Sequence, residues 1–224
     1  MGCKAAFFDR DNTLCRADER IRTQTRQYIS EWAGGAFRFA PDAPGRAFDM
    51  ACCPPEGLKT VENEKKFYFR YYCALLELSG VTEDIPGRAK RLFELNWCRN
   101  AVLFPDTVET LDWFRTNGYL MGVISDTFPS LELTLRGLGI AQYFDCFICS
   151  DIVGVMKPEP QIYLAALRAV GASAMDSLYV DDYGVEADGA RALGFTAFHI
   201  DRTGKDRSEW GITSLLEMVD YAKR

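Results

Sequence analysis

The sequence predicts an α/β fold in which helices cover both faces of an open, mostly parallel sheet, with an all-helical segment inserted after the first strand. The short apolar run from Ala5 to Phe8 has the length of a buried strand. From Phe104 onward, helix-like and strand-like segments alternate, which is typical of a parallel sheet. Residues 16–99 show helical patterns and no convincing strand.

After a first strand at residues 4–8, the alternating part of the chain predicts a regular series of elements. Strands are expected at 119–124, 143–149, 178–180 and 195–200. Helices are expected at 107–116, 130–138, 159–170, 186–193 and 214–222. Three of these helices end at Gly118, Gly139 and Gly171, which fits because glycine readily takes the left-handed conformation found after a helix.

The inserted segment is expected to hold a helix at 23–32, which ends at Gly34-Gly35, and a long helix at 60–78. Pro86 favours the first turn of a further helix. Residues 40–57 contain several prolines and glycines and are interpreted as loop or broken turns.

The sequence therefore predicts a sheet domain formed by residues 1–15 and 100–224 and a helical insert formed by residues 16–99. The insert holds 14 basic and 12 acidic residues, whereas the rest of the chain holds 12 and 20, and the net charge is −6. An acidic protein offers no electrostatic footprint for nucleic acid, so no nucleic-acid partner is expected. The composition leaves the oligomeric state open.

Neither a membrane span nor a disulfide framework is expected. No run approaches the ~20 apolar residues that a transmembrane helix needs. The eight cysteines follow no disulfide pattern, and the chain enters its first strand without the length of a signal peptide. We therefore expect a cytoplasmic protein with reduced thiols.

Two patterns that often carry chemistry are interpreted as structural. Cys146 and Cys149 have the spacing of a redox or zinc pair, but residues three apart on a strand point to opposite faces. His199 is the only histidine, so a Ser-His or Cys-His catalytic set within one chain is excluded.

The first strand ends at two carboxylates, Asp9 and Asp11, which are separated by one residue. In open α/β sheets, ligands bind at the carboxyl ends of the strands. Two carboxylates this close need a cation or a proton between them. The pair therefore indicates either a metal site or an acid/base pair that includes one nucleophile.

Other polar residues are expected at the same edge of the sheet. Ser125 and the pair Asp181-Asp182 each follow a predicted strand, and Lys157 precedes a predicted helix. A hydroxyl, an ammonium group and several carboxylates at one edge indicate a phosphate site with a metal. Carboxylates without a histidine cluster suit a hard cation such as Mg²⁺.

The order of these motifs resembles the haloacid dehalogenase superfamily, in its phosphatase-like subfamily with a helical cap inserted after the first strand of a Rossmann-like core. Residues 9–13 match the first family motif, D-x-D-x-T, and Ser125 matches the second. Residues 154–163 match the third, G-x-x-K-P-x-P-x-I-Y. Asp181-Asp182, together with residues 189–194, matches the acidic fourth motif.

The resemblance implies a Mg²⁺-dependent phosphatase that acts on a small phosphorylated metabolite. Asp9 would be the nucleophile and form an aspartyl-phosphate. Asp11 would protonate the leaving oxygen and then activate water. Ser125 and Lys157 would hold the phosphoryl oxygens and offset their charge.

The same resemblance implies a Mg²⁺ site formed by the Asp9 carboxylate, the main-chain carbonyl of Asp11 and one carboxylate of the pair Asp181-Asp182. The spacing to the next glycine is similar to that of family members whose second aspartate is the ligand, which favours Asp182. Asp181 would then lie behind the ligands, and Glu186 is a candidate outer partner through water.

The sequence departs from the family pattern at two places. Asp126 follows Ser125 where the family commonly has asparagine, at a position that helps to bind the substrate through its backbone. Arg10 stands where an apolar residue is usual.

Four arginines follow the first motif at the entry to the insert: Arg16, Arg20, Arg22 and Arg26. The planar guanidinium group pairs with carboxylate or phosphate in two places. We therefore expect at least one of them, with Arg16 as the candidate, to bind a second polar or anionic group of the substrate. The alternative is a solvated helix face.

Three other functions stay open. Haloacid dehalogenases share the topology but lack the second aspartate of the first motif, so Asp11 argues against that activity. A sugar phosphomutase would return the phosphate to its substrate. A non-catalytic binding module would not need Asp9, Asp11, Lys157 and Asp182 together.

Overall fold

Strands and helices follow the alternation expected from the sequence. The structure is a computed structural model that describes residues 4–35, 40–205 and 208–224. Residues 1–3, 36–39 and 206–207, which fall inside the predicted domains, lie outside the described part. The chain divides into a sheet unit, which comprises Met1–Arg16, Val102–Thr127 and Leu131–Arg224, and a helical unit, which comprises Ala17–Ala101 and Phe128–Ser130.

The strands, in chain order, are β1 (Ala5–Phe8), β2 (Cys15–Ala17), β3 (Ala101–Leu103), β4 (Leu120–Ser125), β5 (Cys146–Cys149), β6 (Ser177–Asp181), β7 (Thr196–Ile200) and β8 (Gly211–Ile212). In the described part of the chain, six of them form the main sheet in the order β5-β4-β1-β6-β7-β8, with parallel pairing throughout. The predicted open parallel sheet is confirmed. β2 and β3 form a separate two-stranded sheet.

The helices, in chain order, are α1 (Glu19–Trp32), α2 (Ala43–Met50), α3 (Val61–Leu78), α4 (Ile85–Asn96), α5 (Thr107–Thr116), α6 (Leu131–Gly137), α7 (Ser150–Val153), α8 (Pro160–Val170), α9 (Gly184–Ala192) and α10 (Leu215–Ala222). Helices α5, α6 and α10 pack on one face of the main sheet, and α8 and α9 pack on the other. The predicted coverage of both faces is therefore confirmed.

Alternate residues of β1 pack into two different cores. Phe8 lies in the core on one face and Phe7 in the core on the other, and both are fully buried. Each such side chain contributes about 1.5–3 kcal/mol to stability. Cys149 and Cys146 also lie in these two opposite cores, so the two thiols point away from each other as predicted.

The helical unit has a core of its own between α1, α3 and α4. Ile29, Leu76 and Leu92 are fully buried in it. Thr60 caps α3, since its hydroxyl accepts a hydrogen bond from a backbone N–H at 3.2 Å, and Pro86 lies in the first turn of α4. Both helix starts agree with the sequence. None of the described helices is long and apolar enough to span a membrane.

One buried carboxylate joins Phe128–Ser130 to the helical unit. Glu64 of α3 is 1% exposed. It accepts hydrogen bonds from the backbone N–H of Ser130 at 2.8 Å and from its hydroxyl at 2.5 Å. The indole N–H of Trp97 donates to the same carboxylate at 2.9 Å. These bonds explain why this short segment packs with the helices.

The structure corrects three predictions for the insert. The segment 40–57, predicted as loop, contains α2, because Pro44 lies in its first turn, where no backbone N–H is needed. The helix predicted at 23–32 begins at Glu19, because Asp18 caps it by accepting a bond from a backbone N–H at 2.9 Å. β2 ends at Ala17, inside a segment predicted to lack strands, since three residues are too few to show alternation.

Candidate active site

Three parallel strands bring the candidate catalytic residues to one edge of the main sheet. Asp9 directly follows β1, Ser125 is the last residue of β4, and Asp181 is the last residue of β6. β1 pairs with both β4 and β6, so the carboxyl ends of all three strands meet. Lys157 reaches this edge from the turn that precedes α8.

Lys157 lies at the centre of the site. Its Nζ atom lies 2.8 Å from Oδ1 of Asp9, 2.7 Å from Oδ2 of Asp181 and 2.7 Å from Oε2 of Glu186. Burial opposes the charged ammonium, but the three carboxyl groups outweigh it and hold the pKa of Lys157 above its ordinary value. Glu186, which the sequence predicts as an outer partner of the metal through water, also contacts the lysine directly.

Asp126 holds the backbone that carries Lys157. Its two carboxylate oxygens accept a hydrogen bond from the backbone N–H of Lys157, at 3.1 and 3.2 Å. Burial raises the pKa of Asp126, although the Lys157 contacts oppose that rise. The sequence predicts a backbone role for this position, and the structure adds a side-chain contact. An asparagine oxygen could accept the same bond.

Close packing against α9 also fixes the turn that carries Lys157. A Cβ atom placed on Gly189 of α9 would lie 2.6 Å from Cβ of Pro158 and 3.0 Å from its carbonyl oxygen. Only glycine lets the helix approach the turn this closely. The backbone next to Lys157 is thus held by a hydrogen bond and by steric contact.

One oxygen of Asp9 is available to a cation. Oδ2 is buried and has no hydrogen-bond partner among the described residues, which is unfavourable for a carboxylate oxygen. Asp9, Asp181 and Asp182 each offer an oxygen, and these atoms lie within 4.8 Å of one another. Burial raises the pKa of Asp9 despite the opposing charge of Lys157. An all-oxygen donor set of this kind fits a hard divalent cation.

Asp181 and Asp182 are held differently. Asp181 is fully buried, and its Oδ2 accepts hydrogen bonds from Lys157 and from the hydroxyl of Tyr179. Its Oδ1 accepts another from a backbone N–H at 2.9 Å. Asp182 is half-buried, and its Oδ2 accepts a bond from the amide of Asn12 at 3.0 Å. Because the protein already engages both oxygens of Asp181, this geometry favours Asp182 as the metal ligand.

Asp11 is more accessible than the buried cluster. Its side chain is 57% exposed, and its Oδ2 lies 2.5 Å from Nη2 of Arg10. The Arg10 side chain is mostly buried, and its guanidinium pairs with Asp11. The carbonyl of Arg10 accepts bonds from the N–H groups of Leu14 and Cys15, both at 3.0 Å. These bonds close the loop that carries both aspartates.

Arg202 holds the same loop, although sequence reasoning does not identify it. Its Nη2 donates to the carbonyl of Thr13 at 2.6 Å, and its Nη1 lies 2.7 Å from Oδ2 of Asp106. Its guanidinium lies 3.9 Å from the ring centroid of Phe104. Burial raises the pKa of Asp106, but the bonds from Arg202 and its neighbours outweigh this and lower it below the ordinary value. The arginine therefore stays paired with an ionised carboxylate.

The remaining predicted residues lie in different surroundings. Arg16 is exposed on β2 and makes no ion pair with another described residue, so its role in substrate binding stays a prediction. Ser125 is 1% exposed at the sheet edge. Tyr179 also belongs to the site, although it is not among the residues predicted from the sequence. Its spacing is the signal that could have identified it. Tyr179 lies two residues before Asp181 on the same strand, so the two side chains point to the same face of the sheet.

Comparisons with known proteins identify a family and several relatives. A family model described as haloacid dehalogenase-like hydrolase matches residues 3–194. Phosphatase MT3486 of Mycobacterium tuberculosis is 28% identical over 220 residues, covering 92% of this chain and 91% of the relative. Glyceraldehyde 3-phosphate phosphatase of Methanocaldococcus jannaschii is 33% identical over 130 residues, covering 54% of this chain and 56% of the relative.

A solved structure resembles the whole chain. The 2-haloacid dehalogenase from Pseudomonas syringae matches with a TM-score of 0.71 at 23% identity, and the match covers 99% of both chains. At this identity the likeness supports the fold alone.

Proposed function

The chain belongs to the haloacid dehalogenase-like hydrolases, and from this premise we propose that it is a Mg²⁺-dependent phosphatase acting on a small phosphorylated metabolite. One observation carries the proposal. Oδ2 of Asp9 is buried without a partner among the described residues, and it lies in a cluster with Asp181 and Asp182. Such a cluster is suited to metal binding beside a nucleophile.

Asp9 acts as the nucleophile in this proposal. One of its carboxylate oxygens attacks the phosphorus, the bond from phosphorus to the leaving oxygen breaks, and an aspartyl-phosphate forms. The ion pair with Lys157 at 2.8 Å holds the carboxylate in position. Burial of Asp9, which is 4% exposed, limits competition from bulk water.

Asp11 carries the proton. Its carboxylate is exposed enough to meet a leaving group and is held by Arg10. It protonates the leaving oxygen as the bond to phosphorus breaks. It then accepts a proton from the water that attacks the phosphorus, so that inorganic phosphate leaves and Asp9 is regenerated.

Ser125 and Lys157 bind the phosphoryl oxygens. The hydroxyl donates a hydrogen bond, and the ammonium offsets negative charge as it develops in the transition state. Asp126 supports this role because it fixes the backbone N–H of Lys157.

A metal would be held by the carboxylates of Asp9 and Asp182 and by the main-chain carbonyl of Asp11, with Asp181 behind them. Bound there, Mg²⁺ supplies positive charge that offsets the charge of the phosphoryl group. The site requires such a charge, because five carboxyl groups meet around the ammonium of Lys157 and its backbone: Asp9, Asp126, Asp181, Asp182 and Glu186.

Halide removal is the second candidate, since the fold resembles that of a 2-haloacid dehalogenase. A leaving halide needs no proton, so the proton that Asp11 donates to a leaving oxygen would have no role in that reaction. This difference favours a phosphate ester.

A panel of phosphorylated metabolites, assayed with and without Mg²⁺, tests the proposal. The panel includes glyceraldehyde 3-phosphate, because a relative is named for that substrate. Inorganic phosphate is measured, together with chloride released from 2-chloropropionate and with isomerised sugar phosphates. The proposal expects Mg²⁺-dependent phosphate release from at least one ester and no chloride.

Each alternative has a distinct result. Chloride without phosphate would identify a dehalogenase. Isomerised sugar phosphate without free phosphate would identify a mutase. No reaction in any arm would favour a binding module.

A further inference from the structure

The helical unit contains a pocket of about 530 Å³ among its first three helices. Arg22 and Arg26 line it from α1, Phe48 from α2, and Tyr68, Tyr71 and Tyr72 from α3. The residues from each helix are one, three or four positions apart, so each set lies on one side of its helix. The volume falls within the range of small-molecule sites, about 300–1,000 Å³.

Aromatic rings form one wall of the pocket. Tyr68 and Tyr72, one helical turn apart on α3, have ring centroids 6.4 Å apart and planes inclined by 27°. Phe48 is 40% exposed, which leaves an apolar ring open at the pocket. Flat apolar surfaces of this kind favour a ligand with a planar apolar body.

Two tyrosine hydroxyls at the pocket have no hydrogen bond. Tyr72 is only 6% exposed, yet neither its hydroxyl nor that of Tyr71 bonds to a residue that the structure describes. Neither hydroxyl oxygen is among the fully buried polar atoms that lack a partner, so both are open to solvent at the pocket. Burial raises the pKa of both tyrosines, so both hydroxyls remain protonated and able to donate. They are therefore donors that a ligand in the pocket can reach.

The charges at the pocket have one sign. Among the described residues that line it, Arg22 and Arg26 are charged and no carboxylate is present. Arg22 also pairs with Glu19 at 2.7 Å, but both side chains are more than half exposed. Exposed pairs of this kind are weak, and a bound anion can replace them.

We propose that this pocket binds a small organic anion with a planar apolar body, such as an aryl carboxylate or an aryl phosphate. The rings contact the body, and the hydroxyls of Tyr71 and Tyr72 together with the guanidinium of Arg26 bind the anionic group. The site goes beyond the proposed hydrolysis, because its residues all belong to the helical unit. The ligand is a small molecule that the helical unit binds with its own residues.

Titration calorimetry of the full chain with 2-naphthoate tests the site, with neutral 2-naphthalenemethanol as the matched probe. The acid is expected to bind at least about tenfold more tightly than the alcohol, because hydrogen bonds to charged groups are the stronger ones. Tyr72→Phe keeps the ring and removes the hydroxyl, and it should weaken naphthoate binding about fivefold or more. Arg26→Gln should weaken it about tenfold.

Arg46→Gln is the matched control, because Arg46 is an exposed arginine of α2 that pairs with Asp42 at 3.6 Å and does not line the pocket. Its naphthoate affinity should equal that of the wild type. Equal affinity for acid and alcohol would overturn the proposal, as would wild-type affinity in both Tyr72→Phe and Arg26→Gln.

The naphthoate titration is repeated in the Asp9→Asn variant. Because naphthoate binding does not require hydrolysis, a failure of the binding proposal can be distinguished from a failure of the proposed phosphatase activity. Inhibition of 4-nitrophenyl phosphate hydrolysis by naphthoate that is lost in Tyr72→Phe supports the site and shows that its occupation affects turnover. Pocket binding without inhibition supports the site as one that acts independently of hydrolysis.

Discussion

The Nζ atom of Lys157 lies 2.8 Å from Oδ1 of Asp9, and both side chains are almost completely buried. The same nitrogen contacts Asp181 and Glu186, so one ammonium serves three carboxyl groups. In a buried site, removing one partner leaves charges that water cannot reach. The contact between Lys157 and Asp9 therefore contributes both to the stability of the fold and to the position of the proposed nucleophile.

Replacing the lysine should destabilise the fold. Lys157→Ala is expected to lower the free energy of unfolding by about 3–5 kcal/mol at about pH 9 without metal, where Asp9 is ionised and loses its cation together with Asp181 and Glu186. Urea denaturation measures the change. Lys66→Ala is the control, since that lysine is exposed and lies 3.7 Å from Glu62, and such pairs contribute less than about 1 kcal/mol. Equal losses in the two variants would contradict the buried ion pairing.

Two substitutions of Asp126 separate its hydrogen bond from its charge. Asp126→Asn keeps an oxygen that accepts the N–H of Lys157, so kcat on 4-nitrophenyl phosphate should stay within about threefold of the wild type. Asp126→Ala leaves that N–H unpaired, and kcat should fall about tenfold or more. If the alanine variant were as active as the asparagine variant, the side-chain contact would have no role in positioning Lys157.

Mg²⁺ affinity should increase with pH. Burial raises the pKa of Asp9 to about 8 despite the opposing charge of Lys157, so without metal its carboxyl is mostly protonated below that pH. A bound cation has to displace the proton, which weakens binding by up to roughly tenfold for each pH unit below the pKa. Titration calorimetry with Mg²⁺ at about pH 6 and about pH 8 measures the difference. The same affinity at both values would show that Asp9 is ionised before the metal binds.

The two adjacent aspartates should differ in their effect on the metal. Asp182→Asn removes the expected ligand and should weaken Mg²⁺ binding more than Asp181→Asn does. Asp181 is expected to support the ligands, and its loss should lower Mg²⁺ affinity roughly tenfold. Mg²⁺ titration of activity in both variants, after circular dichroism has shown that they fold, gives the order. The opposite order would move the ligand to Asp181.

The sequence predicts elements whose physical cause is local. Ala5–Phe8 is a strand buried on both faces, and such strands are continuous apolar runs. Boundaries set by one distant contact could not be predicted. The strand predicted from residue 143 begins at Cys146, and just before it the carboxylate of Asp145 accepts the N–H of Met121 at 2.8 Å.

In the candidate site, too, residues in local motifs could be predicted and residues placed by distant contacts could not. Asp9, Asp11 and Lys157 could be predicted because they lie in short motifs beside predicted strands and helices. Arg202 could not, since it is 189 positions from Thr13, whose carbonyl it binds. The direct contact of Glu186 with Lys157 also depends on how α9 packs against a distant turn, and no local pattern encodes it.

The most direct test is Mg²⁺-dependent hydrolysis of 4-nitrophenyl phosphate by the wild type and by Asp9→Asn, measured side by side as kcat/KM. The variant keeps the size of the side chain but loses the attacking carboxylate and a metal ligand. We expect a folded protein whose kcat/KM is at least about 10³-fold lower, with activity of the wild type abolished by chelation and restored by Mg²⁺. An Asp9→Asn variant that keeps most of the wild-type rate would contradict the account.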